Sequence, residues 1–292
     1  FLREARTAAN LAHPNIVPIH LVESSDGLVC FVMGYISGET LGHRVRRVGP
    51  LPPDEVIRIL REVAWALAYA HGRGVIHRDI KPDNILLEHG TGRALVTDFG
   101  IARVTAEGTL TGQNEILGTL QFMPPEQADA GAELDGRSDI YALGVTAFFT
   151  LTGRLPFEAT SAPALLAMHL TEPAPPVTSV RPEVPAQLAN AVDRCLSKEP
   201  SARFQTAELL SDALGEMAVS RSIPPSILAL RETASTAGQL IFLPGLFYFL
   251  VGRGIQPDWA TALAAVWASL GGLGILQFLG AARAVVRGGH ST

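Results

Sequence analysis

Cysteine is almost missing from this sequence: Cys30 and Cys195 are the only two in 292 residues. Both stand in apolar surroundings without metal-ligand or disulfide spacing. That excludes a disulfide-stapled scaffold or a cysteine metal site and reads as two free thiols in a reducing compartment. Charge is scarce too. Only 17% of residues are charged and the net charge is −5, so no basic field recommends nucleic acid as a partner. The chain begins at Phe1, inside what reads as a helix, with neither an initiator methionine nor a signal peptide. Its start therefore reads as a cut through a domain, and the absent targeting segment excludes nothing.

What is present is unevenly spread. Hydrophobic residues make up 47% of the chain, enough for one large or two smaller domains with a sizeable core, but the C-terminal end is far more apolar than the rest. Thr233 to Gly252 and Trp259 to Ala282 carry no charge, and each is long enough to cross about 30 Å of hydrocarbon as a helix. Trp259 stands near one end, and glycines at 271, 272 and 274 permit close helix contact. This pair reads as a transmembrane hairpin, with a buried hairpin in a soluble fold as the bland alternative. Arg221, Arg231, Arg283 and Arg287 flank the pair and place both ends on the cytoplasmic side, although Arg253 in the connection opposes this. The expected location is a multi-pass position in the cell membrane, with the lipid bilayer as a partner and the preceding domain cytoplasmic.

Upstream, local patterns predict a helix over residues 1–9 with Leu2, Ala5 and Ala9 inward, stopped by His13-Pro14-Asn15. Strands follow at Ile16 to Val22 and Leu28 to Met33, and a connector at Gly34 to Gly38. Leu41 to Val48 reads as a short helix. A longer one opens at Pro52-Pro53-Asp54 and runs to about His71, with Val56, Ile59, Leu60, Val63 and Leu67 on one face. Ile85 to Leu87 and Ala94 to Thr97 read as a hairpin, and Thr105 to Glu115 as a mobile loop. Helices are expected at Asp139 to Leu151, Ala162 to Leu170, Pro185 to Leu196 and Thr206 to Ala218, with a linker from Ser220.

Chemistry concentrates in His77-Arg78-Asp79-Ile80-Lys81-Pro82-Asp83-Asn84, read together with Asp98-Phe99-Gly100. A carboxylate, an ammonium and an amide within one short run, with a second carboxylate after the apolar Ala94-Leu95-Val96, suit phosphoryl transfer. That reaction requires a hydroxyl to be oriented and phosphate charge to be neutralised by metal ions.

These motifs, followed in order by Gly118-Thr119, Pro124-Pro125-Glu126-Gln127 and Ser138-Asp139-Ile140-Tyr141-Ala142-Leu143-Gly144, give residues 1 to about 218 a resemblance to a protein kinase. The chain resembles most the bacterial (Hanks-type) serine/threonine kinases, without the start of the small lobe. The resemblance implies an α+β protein-kinase-like fold: a partial N-lobe over 1–33, the hinge and a mainly helical C-lobe over 34–218, a linker over 219–232 and the membrane hairpin over 233–287. It implies that Asp79 orients the acceptor hydroxyl and takes its proton, that Lys81 stabilises the transferred phosphoryl, and that Asn84 and Asp98 hold Mg2+, or Mn2+ in its place. ATP is the implied nucleotide. Met33 would guard the adenine pocket, Gly34, Tyr35 and Ile36 would form the hinge, Leu86 would lie under the adenine, and Glu4 would pair with an ATP-positioning lysine absent from this sequence, as is the glycine-rich loop. Related kinases usually carry an acidic residue where Gly34 stands, a change expected to alter hinge flexibility more than ligand identity, since backbone groups read the adenine. Phe122 and Pro124 likewise stand where tyrosine and alanine are usual.

Further roles follow from the resemblance. Arg78 would pair with a phosphate on the activation segment, at Thr105, Thr109 or Thr111. Thr119 would line the acceptor site, and His77, Phe99, Glu126, Asp139 and Arg203 would be structural, Glu126 paired with Arg203 and Asp139 accepting from the catalytic-loop backbone. The implied activity is phosphorylation of serine or threonine on protein substrates and on the chain's own activation segment, with self-association as a route to reaction in trans. The alternatives are a membrane-tethered pseudokinase acting as a binding module, and an apolar tail that begins a channel, transporter or sensor.

Overall fold

The structure, a computed structural model, describes residues 7–25, 28–99, 118, 120–128 and 134–222. Glu4, Thr105, Thr109, Thr111 and Thr119 lie outside the described residues, as do the loop read at 105–115 and the apolar segments at 233–287. The chain divides into one compact unit over residues 1–218 and a second over 219–292.

Two small antiparallel sheets open the first unit. Strand β1 (Ile19–Ser25) pairs with β2 (Leu28–Met33), Val22 opposite Phe31. β1 starts later than the apolar run suggests. Proline at 18 has no N–H to donate, and the preceding residues pair elsewhere: Ile16 bridges to Val96, and Val17 N–H donates to the Val96 carbonyl at 2.9 Å. The second sheet has the order β3 (Gly38–Thr40), β4 (Ile85–Glu88), β5 (Ala94–Val96). β3 occupies the end of what reads locally as a connector, because its partner β4 lies far away in sequence.

The helices supply the core. α1 (Leu41–Val48) is capped by Thr40, whose hydroxyl accepts the His43 N–H. α2 (Pro53–His71) has proline in its first turn and Asp54 and Glu55 at its positive end. Its Val56, Ile59, Leu60, Val63 and Leu67 are all buried. α3 (Gly136–Thr152) starts earlier than its apolar pattern because Asp135 caps it, accepting from Arg137 N–H. It ends where Gly153 turns left-handed at φ 72°. From Ser138 to Leu151 every residue but Phe149 is buried, so α3 is the central helix, buried all round. Around it stand α4 (Ala162–Thr171), α5 (Val177–Val180), α6 (Ala186–Cys195) and α7 (Ala207–Ser222). The single turn of α5 sits in a proline-rich connection that carries no helical period. α7 runs past the expected end at Ala218 into the residues read as a linker.

One ion pair locks this helical part. Arg203 is fully buried, at 0% exposure. Its Nη1 and Nη2 donate to the two oxygens of Glu126 at 2.7 and 2.8 Å, and its remaining donors reach the carbonyls of Ser197, Arg137 and Lys198 at 2.8, 2.9 and 2.8 Å. All five guanidinium N–H groups are thus matched. Ser138 Oγ adds a bond to Glu126 Oε1 at 2.8 Å. Burial by itself would raise the Glu126 carboxyl, but the Arg203 hydrogen bonds and charge, with the Glu126 backbone N–H and the Ser138 hydroxyl, together outweigh it and hold the group below its ordinary value.

Replacing Arg203 with leucine strands the Glu126 carboxylate, and the expected cost is about 3 to 5 kcal/mol, read as a fall in the urea midpoint. Because the folded Glu126 is the stronger acid, its contribution is present above the ordinary glutamate range of about 4.3. It is lost as pH falls through the depressed folded value. A pH series of urea melts should show that acid-side loss in the wild type and a shallower one in Glu126→Gln.

Candidate active site

Asp139, in the first turn of α3, organises the loop that follows α2. It is 1% exposed. Its Oδ2 accepts from the His71 ring at 2.7 Å and from the His77 N–H at 2.8 Å, and its Oδ1 accepts from the Arg78 N–H at 2.8 Å. Burial alone would push this carboxyl up. The hydrogen bond from His71 and the charge and amide donors around it hold it below the usual aspartate value instead. The grip matters because Arg78 has a positive φ of 68°, a conformation that costs a non-glycine residue on the order of 1–3 kcal/mol. Two consecutive N–H groups bound to one carboxylate offset that cost.

His77, fully buried, carries the connection onward. Its Nδ1 accepts the Asp79 N–H at 3.2 Å, so the ring proton sits on Nε2, which donates to the Thr97 carbonyl at 2.8 Å. The ring also packs edge-on against Phe99, centroids 4.6 Å apart. Asp98 lies between these two anchored neighbours, again at positive φ, 63°. One imidazole therefore ties the backbone of Asp79 to both flanks of Asp98. The Thr97 N–H donates to the Asn84 carbonyl at 3.0 Å, closing the ring of contacts.

On the Asp79 carboxylate, Lys81 Nζ and Asn84 Nδ2 both meet Oδ2, at 2.8 and 3.0 Å, and Asn84 Nδ2 also donates to the Asp79 carbonyl at 2.8 Å. Among the described residues no hydrogen bond falls on Oδ1. A carboxylate oriented through one oxygen keeps the other for a proton in transit. With its NH2 group engaged by Asp79, Asn84 has its amide oxygen left as an acceptor. That oxygen and the Asp98 carboxylate make a hard, oxygen-only donor pair of the kind Mg2+ takes when phosphate and water complete its shell. No group of three or more His, Cys, Asp and Glu side chains suited to a metal converges among the described residues.

In the segment expected to form the hinge, Met33 is partly exposed and its sulfur lies 3.9 Å from the Thr97 hydroxyl. Gly34 meets a packing constraint. Its N–H donates to the Pro18 carbonyl at 2.8 Å, and a Cβ there would stand 2.9 Å from Pro18 Cγ. Packing against Pro18 selects glycine. Tyr35 is 91% exposed, while Ile36 and Leu86 are half-buried. Leu86 faces away from the buried side of β4 that carries Ile85 and Leu87. His71 and Ser138 reach Asp139 and Glu126 without having been singled out by sequence. Ser138 opens the motif that runs to Gly144. His71 shows only the local signal of a histidine closing a helix.

Residues 1–214 match the protein kinase domain family. The chain is 41% identical over 208 residues to serine/threonine-protein kinase PrkC of Bacillus subtilis, a match that covers 71% of this chain and 32% of that protein. It is 40% identical over 206 residues to serine/threonine-protein kinase PknD of Mycobacterium tuberculosis, 70% of this chain and 31% of that one. The chain thus spans about a third of the length of these curated relatives. Among solved structures, a point mutant of the Mycobacterium tuberculosis PknI kinase domain superposes with a TM-score of 0.59 at 32% identity, covering 75% of this chain and 77% of that one. A loop held by one buried carboxylate, two aspartates tied to one imidazole and these matches together make the chain a member of the protein kinase family, of the bacterial Hanks type.

Proposed function

We propose that the full-length protein moves the γ-phosphoryl group of ATP to serine or threonine hydroxyls of proteins, its own activation segment among them. The observation that carries this is the Asp79 carboxylate, fixed through Oδ2 by Lys81 and Asn84. In this reading Oδ1 of Asp79 takes the acceptor proton while the hydroxyl oxygen bonds to the γ-phosphorus and the bond to the β–γ bridging oxygen breaks. ADP is the leaving group. Lys81, already 2.8 Å from Asp79, also supplies positive charge to the migrating phosphoryl. The chemistry Mg2+ supplies, held by the Asn84 and Asp98 oxygens, is neutralisation of the β- and γ-phosphates; Mn2+ has the same oxygen preference.

Arg78, beside the proposed base, is assigned to a phosphate on Thr105, Thr109 or Thr111, and Thr119 to the acceptor pocket. Self-association brings one activation segment to another copy's site. The bilayer remains part of the proposal through the uncharged stretches Thr233 to Gly252 and Trp259 to Ala282. Among the described residues no helix is long and apolar enough to cross a membrane.

Full-length protein should incorporate phosphate from ATP only with Mg2+. Asp79→Asn and Asp98→Ala should each lower incorporation by about 10²- to 10⁴-fold. Labelling equal to wild type in either variant overturns the assignment. A wild type that binds nucleotide yet transfers nothing favours the binding-module alternative. For the membrane, full-length protein should stay in the pellet after alkaline carbonate washing and a chain ending at 218 should not; release of both removes the bilayer from the proposal.

A further inference from the structure

Asp83 is the one charged residue of the run from His77 to Asn84 that none of these roles uses. It sits in the 3-10 turn Pro82–Asn84, and its carboxylate is bound by Arg46 of α1. Three groups converge on its Oδ1. Arg46 Nη2 donates at 2.7 Å and the Thr40 hydroxyl at 3.4 Å. The third is Gly42, where a built Cβ would collide with Oδ1 and stand 3.1 Å from the carboxylate carbon. Thr40 serves twice, since the same hydroxyl accepts the His43 N–H at 3.1 Å and so caps α1.

The weights differ. Arg46 and Asp83 are 61% and 49% exposed, and an ion pair that open to water contributes little by itself. The positive end of α1 adds a modest attraction. The carboxylate is oriented by Arg46 and Thr40, and the lack of a side chain at buried Gly42 leaves the room beside α1 that Oδ1 occupies. The inner side of the turn is held separately, by the Thr97 N–H on the Asn84 carbonyl at 3.0 Å. Pro82 has no N–H with which to help. Asp83 is therefore the outer fastening of the turn that carries Lys81 on one flank and Asn84 on the other. Arg44 and Arg47 of the same helix are engaged by Glu39, at 3.3 and 2.6 Å, which leaves Arg46 for this contact.

We infer that Asp83 is a positioning residue: seated on α1 at Gly42, it holds the Pro82–Asn84 turn so that Lys81 and Asn84 stay in register on the Asp79 carboxylate. Its catalytic consequence rests on the phosphoryl-transfer reading above, while the seat itself does not. Because α1 follows directly on β3 and the hinge segment, the seat also links the stretch assigned to the adenine with the stretch assigned to the metal.

The test compares full-length wild type, Gly42→Ala, Asp83→Ala and the double variant. Three quantities are read: amide hydrogen exchange over residues 80–86, calorimetric affinity for a non-hydrolysable ATP analogue as Mg2+ is titrated, and kcat against peptide KM. Gly42→Ala, which changes no charge, should speed exchange in the turn and weaken Mg2+-dependent analogue binding by about tenfold, the lower end of the usual loss when a ligand's supporting shell is removed. Asp83→Ala should do the same, with kcat falling and peptide KM held. The double variant should be no worse than Asp83→Ala, because the methyl group added at position 42 then meets no carboxylate. Additive effects of the two substitutions, or unchanged exchange in Gly42→Ala, overturn the proposal. Asp83→Asn keeps the shape and both acceptor contacts and should exchange like wild type; should Gly42→Ala fail to fold, the contrast between Asp83→Ala and Asp83→Asn decides. If wild type itself transfers no phosphate, the catalytic reading falls while the exchange data still judge the seat.

Discussion

A buried carboxylate must be paid for in hydrogen bonds, and Asp139 collects them from three directions. His71 comes from the end of α2, and the N–H groups of His77 and Arg78 come from the loop that α2 feeds. This makes α3 the reference frame for the chemistry. Among the described residues the loop has no ladder partner to hold it, and Arg78 stands in a backbone conformation it would leave if free. Take away the anion and the loop keeps its sequence but loses the reason for its shape. Everything that follows, from the His77 ring to Asp79 and Asp98, hangs from that attachment.

The same protein solves the problem of buried or crowded charge in different ways. Arg203 is wholly enclosed, and every donor it owns is matched, so its cost of desolvation is met by geometry. Glu39 lies nearer water, where hydrogen bonds from Arg47 and His43 pull its carboxyl down to about 2. Such a network fixes the orientation of α1 more than it adds stability. Lys198 takes a third course: burial draws its ammonium down to about 8, and it directs its donors to the carbonyls of Met168 and His169 at the end of α4. Charge there acts as a helix cap.

Glycine shows how far a local reading goes. Gly72 and Gly153 stand where helices stop, a role visible in sequence because it depends on neighbours along the chain. Gly34 and Gly42 are glycine for another reason. The first is pressed by Pro18 and the second by Asp83, and neither partner is within reach of a sequence window. The late start of β1 has the same origin, since Ile16 and Val17 are drawn to Val96.

What the chain determined by itself is whatever depends on residues close in sequence. The Leu41–Val48 helix, the α2 stripe, the β4–β5 hairpin and the run from His77 to Asn84 all express short periods, caps and turn chemistry. What only tertiary structure decided is which distant groups satisfy one another: His71 with Asp139, Ser138 with Glu126, Asp83 with Gly42. Hydrogen-bonding needs and excluded volume are fixed by residue type, but their fulfilment is a matter of position in space. That position exists only once α3 has been buried and the two flanks of the site have been brought against it.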